Sequence, residues 1–143
     1  MKKIRMKRAF VGIFMCAILL GLSGCGGNVR NVEIKECHSD IYTEEDIESA
    51  IDVVFAYFKE NFSGCTLNEI GYAGDERTER ESGYYLNIEG IEADEIIVLV
   101  SSFDVDSSGG DGSLEPNETY EGWSWLLVRK KNGKWRHYTH GYG

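Results

Sequence analysis

One apolar stripe constrains this chain more than any other feature. Ile47, Ala50, Ile51, Val54, Phe55 and Phe58 recur at three- and four-residue spacing, while Glu48, Asp52, Lys59 and Glu60 lie off that line. The spacing predicts an amphipathic helix over residues 44–62. Thr43 suits the N-cap, and Asp46 three residues on gives a near match to a capping box. Glu44, Glu45 and Asp46 place negative charge in the first turn, where the helix dipole favours it. Tyr42 is positioned to pack on Ile47, and Ser63-Gly64 ends the helix. A stripe this broad and aromatic has to lie on a large apolar surface.

The rest of the chain supplies that surface as strands. Thr66 to Ala73 is a short, partly alternating strand, and Gly74 to Gly83 reads as a charged loop in which Glu79–Ser82 can start a short helix. Glu95 to Phe103 is rich in β-branched residues and reads as a central strand buried on both sides. Asp104 to Gly122, rich in Gly, Asp and Ser, reads as a long loop. Trp123–Arg129 and Lys134–Tyr138 form a hairpin through Asn132-Gly133, a type I′ turn signal. On its first strand Trp123, Trp125 and Leu127 share one face, and Leu126 and Val128 the other. The expected class is α+β: one long N-terminal amphipathic helix packed on a curved antiparallel sheet of three to five strands.

The 143 residues suit one domain, and their charges are unevenly placed. Lys2, Lys3, Arg5, Lys7 and Arg8 open the chain, and no acidic residue precedes Glu33. Ala9 to Leu22 is an uncharged run of 14 residues, short of the ~20 needed to cross a bilayer. A basic head and an apolar core of this length match an export signal. Leu22-Ser23-Gly24-Cys25 then resembles the bacterial lipobox, which implies cleavage between Gly24 and Cys25 and acylation of the Cys25 thiol. The implied organisation is a signal peptide at 1–24, a lipidated Cys25 with a flexible tether to residue 37, and a single domain at 38–143. It would sit on the extracytoplasmic face of a bacterial cell membrane, with the bilayer as its first partner. Several acyl chains on one cysteine anchor stably where one does not, and 12 flexible residues would reach roughly 19 Å. The mature chain would hold 10 basic against 24 acidic residues, a formal charge of −14. That charge excludes nucleic acid as a direct partner.

Of the four cysteines, Cys16 leaves with the signal and Cys25 takes the lipid, so Cys37 and Cys65 remain in a disulfide-permissive compartment. They bracket a helix about 28 Å long. The flanks span at most about 20 and 10 Å. A Cys37–Cys65 bridge therefore requires both flanks to run back along the helix; otherwise the thiols stay free.

Four segments carry a second resemblance. They are Phe62-Ser63-Gly64-Cys65-Thr66-Leu67, the run from Ser102 to Gly112, Trp123-x-Trp125, and Gly133-Lys134-Trp135 continuing to His140-Gly141-Tyr142. Over residues 40–143 the chain resembles the cystatin-like, nuclear transport factor 2-like superfamily, and more narrowly small Firmicutes-type lipoproteins of unknown function. The resemblance implies a cystatin-like roll. It does not choose a function, because the superfamily holds both dehydratases or isomerases and non-catalytic binding domains.

Enzymes of that superfamily place an acid or a His between helix and sheet. His137 and His140 are the candidate bases here, with Tyr84, Tyr85 and Tyr138 as candidate donors. His137 shares a strand face with Trp135, Tyr138 and Arg136 take the opposite one, and His140 near the end is expected to be exposed. No acidic residue in the last two apolar strands orients either His, as a positioned base requires. Trp123, Trp125 and Trp135 line a pocket in the sheet, pack against Phe55 and Phe58 as core, or do both. The leading expectation is a non-catalytic module binding a small ligand or an extracytoplasmic protein. The alternative is a small dehydratase- or isomerase-like enzyme using a His in the helix–sheet cavity. An assembly factor would instead show an exposed aromatic patch.

Asp104 to Glu115 falls on the twelve-residue spacing of a calcium loop. Asp104, Asp106 and Ser108 take positions 1, 3 and 5, Gly109 the turn, Gly110 supplies a carbonyl at 7, and Glu115 sits at 12. Ser at position 5, Asp111 at position 8 and the absence of flanking helices count against calcium. The other reading is a solvated connection between strands.

Overall fold

The computed structural model describes residues 26–142; the signal peptide, its cleavage site and Cys25 lie outside them. The order is β1 (Glu33–Lys35), α1 (Glu44–Asn61), β2 (Cys65–Tyr72), α2 (Asp75–Ser82), a wider helical turn at Gly83–Ile88, β3 (Glu95–Val105), β4 (Thr119–Arg129) and β5 (Arg136–Tyr142). The class is α+β, and one five-stranded sheet runs β1-β2-β3-β4-β5 in sequence order. The sheet is mixed rather than antiparallel: β1 runs parallel to β2, and the other pairs are antiparallel. The principal helix spans 18 residues and follows a strand, so it is not the N-terminal element expected. Among the described residues no helix is long and apolar enough to cross a membrane.

Helix α1 starts where its sequence says it should. The Thr43 side chain accepts from the Asp46 amide, and the Asp46 carboxylate accepts from the Thr43 amide, both at 3.1 Å. Its buried residues Ala50, Ile51, Val54 and Phe58 pack on Leu67, Ile70, Ile97, Leu99, Phe103, Trp125 and Leu127, the inner face of the sheet. Arg129 fastens the N-terminal end of this helix to the sheet. Its guanidinium donates to Asp46 at 3.0 Å and Glu95 at 2.8 Å, and lies 4.1 Å from the Trp135 ring centroid.

The outer face has its own small core. Ile96, Val98, Leu126 and Val128 are buried there under Ala73, Tyr85, Leu86, Ile91 and Ala93. The charged stretch after Gly74 is therefore helical, not a loop: Thr78 is buried, and its hydroxyl accepts from the Val98 amide at 3.2 Å. Thr78 is its one buried residue, and Asp75, which accepts from Ser39, Asp40 and Tyr72, and Arg77, which donates to Ser124, tie the rest of the segment down. The 104–122 stretch is also more ordered than expected, because β3 runs on to Val105 and β4 begins at Thr119. The final hairpin does not turn as type I′. The Gly133 amide donates to the Lys130 carbonyl, and Asn132 takes a positive φ of 61° while Gly133 does not.

Residues 26–37 are not a flexible tether. The Gly27 amide donates to the Lys59 carbonyl at 3.0 Å, closing the last turn of α1 from outside. Asn28 bridges to Thr66 in parallel fashion, Val29 is core, and β1 adds the edge strand. A Cβ on Gly27 would overlap the Phe58 carbonyl oxygen and stand 2.7 Å from its ring.

The two cysteines are free, Cys37 exposed and Cys65 buried. No bridge forms because β1 runs parallel to β2 and pairs Lys35 with Gly71, which carries Cys37 past the far end of the strand that Cys65 begins. At about 3.3 Å per residue, that separates them by most of the sheet's length.

Gly27→Ala should cost about 1–3 kcal/mol of unfolding free energy through overpacking. Gly83→Ala should be neutral or stabilise by up to ~1 kcal/mol, because Gly83 has helical φ, −58°, and open space around it. Urea denaturation of the two variants measures the contrast. Equal, negligible effects would return residues 26–29 to the status of a tether.

Candidate functional site

The inner face of the sheet departs from simple alternation at three places. Register shifts fall between Leu67 and Glu69, between Ser101 and Phe103, and between Leu126 and Leu127. In each ladder one strand advances three residues where its partner advances two. Leu67 and Ile70 thus stand opposite Phe103 and Ser101, Tyr120 and Trp123 opposite Phe103 and Ser101, and His137 and His140 opposite Leu127 and Trp125. Such bulges re-aim side chains. Here they set an i, i+3 pair on the helix side of β2, β4 and β5.

The third bulge makes the site. Without it, His137 and His140 would point to opposite faces. With Tyr138 as the extra residue, His137 Nε2 and His140 Nδ1 lie 2.9 Å apart, one donating to the other. His140 is half-buried rather than exposed. Tyr57 of α1 stacks on His137 at 3.9 Å between ring centroids, and Phe62, Trp123 and Trp125 all lie within 5.8 Å of the His140 ring. Burial, and the neighbouring His140, hold the His137 imidazole down at about 4, and burial also lowers His140. Both rings are neutral at pH 7.

A cavity of about 260 Å³ opens beside this pair, walled by Tyr57, Phe62 and Trp123, with Asn61, Ser63, Asp111, Ser113 and His140 as its polar residues. Asn61 donates to the Tyr57 carbonyl at 3.0 Å, and the Asp111 carboxylate accepts from the Ser113 amide at 2.9 Å. Trp123 Nε1 is buried and has no hydrogen-bond partner. A buried N–H without an acceptor is costly and calls for a partner.

The three tryptophans divide. Trp125 is fully buried, with Nε1 donating to Ser101 Oγ at 2.8 Å. Trp135 is core, with Nε1 donating to the Asp46 carbonyl at 3.1 Å. Only Trp123 lines the cavity. The candidate donors Tyr85 and Tyr138 pack together on the outer face, 5.7 Å between centroids, and Tyr84 donates to Glu89. None of the three joins the imidazoles.

The calcium spacing is taken up by local structure. Asp104 is in β3 and its carboxylate accepts from the Thr119 hydroxyl at 2.6 Å; Asp106 accepts from the Ser108 amide and hydroxyl. Glu115 donates its amide to the Tyr120 hydroxyl, and Gly110 lines the cavity. Strand pairing at Asp104 pulls the first position away from the rest. Among the described residues, no three His, Cys, Asp or Glu side chains gather as a metal site. Cys65 lies below the same loop, its thiol raised to about 11 by burial and by Asp106 and Asp111, which makes it a poor nucleophile.

Periodicity could not reveal the imidazole pair, because a bulge is a tertiary choice. The Gly141 that follows, at φ 145°, was the one local hint of an irregular strand.

The depressed imidazoles make stability pH-dependent with a definite sign. The unfolded chain takes up protons as pH falls through 6.5 while the folded one resists until about 4, so stability declines across that interval and is full above it. His137→Phe keeps the stack on Tyr57 and should flatten the decline, as read from unfolding midpoints at successive pH values. An unchanged slope would show that the imidazoles are not its source.

No protein family, curated protein sequence or solved structure matches this chain, so its chemistry has to be read from the site itself.

Proposed function

We propose that the chain is an extracytoplasmic lipoprotein anchored through Cys25, and that its domain, a cystatin-like roll, binds a small planar ligand in the inner cavity without catalysing a reaction. One observation supports binding over catalysis: the only imidazoles at the cavity orient each other rather than being oriented by a carboxylate. A neutral pair with depressed basicity is a weak general base near pH 7. The aromatic wall of Tyr57, Phe62 and Trp123 offers stacking, and Asn61 and His140 are polar residues of the lining. At about 260 Å³ the cavity takes a fragment-sized molecule. Support for the anchor comes from the basic head, the apolar run and Leu22-Ser23-Gly24-Cys25.

The enzyme alternative draws on the bulge, which sets two imidazoles beside a cavity between helix and sheet. It requires turnover that His140→Ala abolishes.

Two measurements test the proposal. Intact-mass analysis of protein extracted from membranes should show loss of residues 1–24 and added acyl mass, and Cys25→Ser should show neither; a species keeping Met1 overturns the anchor. A fragment screen read by tryptophan fluorescence should find planar binders. Trp123→Leu, which removes one stacking wall, should weaken them by about 2–12-fold. Binders indifferent to Trp123→Leu would place the ligand elsewhere.

A further inference from the structure

We propose that the inner cavity selects by charge, and that its ligand is a small planar organic cation, a ring bearing a positive nitrogen. The inference rests on the cavity being a ligand site, and it adds the sign of charge that the site takes.

The charges around the cavity all have one sign. Asp111 is the only charged residue of its lining. The loop that supplies Asp111 belongs to a stretch, residues 104–128, that holds Asp104, Asp106, Asp111, Glu115, Glu118 and Glu121 and no Lys, Arg or His. No Lys or Arg among the described residues forms an ion pair with any of them. Asp106 and Asp111 accept from Ser108 and Ser113, neutral groups that leave the carboxylate charge uncompensated. The Cys65 thiol beneath the loop registers that field, since after burial it is Asp106 and Asp111 that hold it protonated. The neutral imidazoles of His137 and His140 set no positive charge against it.

The walls favour the same ligand. Tyr57, Phe62 and Trp123 present ring surface to the cavity, and Tyr57 and Trp123 are part-buried rather than spent wholly on the core. Aromatic faces attract a cation, Trp most strongly, and more so where water is partly excluded. An anion here would meet Asp111 without a counter-ion. A neutral ring would use the stacking surface and leave the carboxylate idle. A positively charged ring uses both.

N-methylpyridinium is the probe, with pyridine N-oxide as a neutral counterpart of nearly the same shape. Each is added to the full chain in micelles of an uncharged detergent and followed by amide chemical shifts. N-methylpyridinium should shift Asn61, Trp123 and His140 saturably, and pyridine N-oxide should bind about 2–30-fold more weakly. Asp111→Asn, which can still accept from Ser113, should weaken the cation about 2–5-fold and leave the N-oxide unchanged. Trp123→Leu should weaken both. Equal or tighter binding of the N-oxide overturns the charge selection and leaves the cavity a ligand site. Cation binding undiminished in both Asp111→Asn and Trp123→Leu overturns it as well, because the cation would then sit elsewhere. No shift at the cavity with either probe overturns it together with the binding reading on which it rests.

Discussion

Everything in this domain hangs on the two-sided burial of β3. Ile97, Leu99 and Phe103 point to α1, while Ile96 and Val98 point to the small outer core, and all are buried. A strand in this position needs cover on both faces, since apolar area left wet loses about 25 cal/mol per Å². The 18-residue α1 is the inner cover. The outer cover is improvised from α2 and the wide turn after it, where the Glu89 amide reaches back five residues to the Tyr84 carbonyl. Arg129 and the capping box then fix where α1 starts on the sheet.

β3 also holds the straight register against which its neighbours bulge. Its inner residues alternate without interruption, while β2 and β4 each insert a residue against it and β5 inserts one against β4. Extra residues in one strand of a pair bend and twist it. The insertions bring Tyr120, Trp123, His137 and His140 onto one face, where the last turns of α1 cover His137 through Tyr57 and the 110–114 loop walls the rest. The inner cavity lies between them. Its aromatic wall is continuous with the core through Phe62 and Trp125.

Local chemistry was legible in the sequence wherever a feature depends on neighbours along the chain. The Thr43 cap, the α1 stripe, the β3 run and the facing of Trp123, Trp125 and Leu127 all follow from spacing alone. What spacing could not supply depends on pairing between distant segments. The charged 75–82 segment is a helix because Thr78 docks on Val98, not because its sequence is amphipathic. Residues 28 and 33–35 become strand because β2 offers an open edge. The alternation rule failed for His140 because Tyr138 is a bulge, and the calcium spacing failed because β3 keeps Asp104 for itself.

The fastening of Gly27 to the end of α1 changes what an anchor at Cys25 would mean. Only Gly26 separates that cysteine from a residue hydrogen-bonded to the fold, and one residue spans no more than about 3.6 Å. An anchored domain would have a fixed attitude and almost no leash. Asn61, Phe62 and Ser63, which wall the inner cavity, come shortly after Lys59, at the end of α1 and just past it. The cavity would therefore open close to the lipid headgroups, and a molecule bound there would be met at the membrane surface instead of in the surrounding fluid.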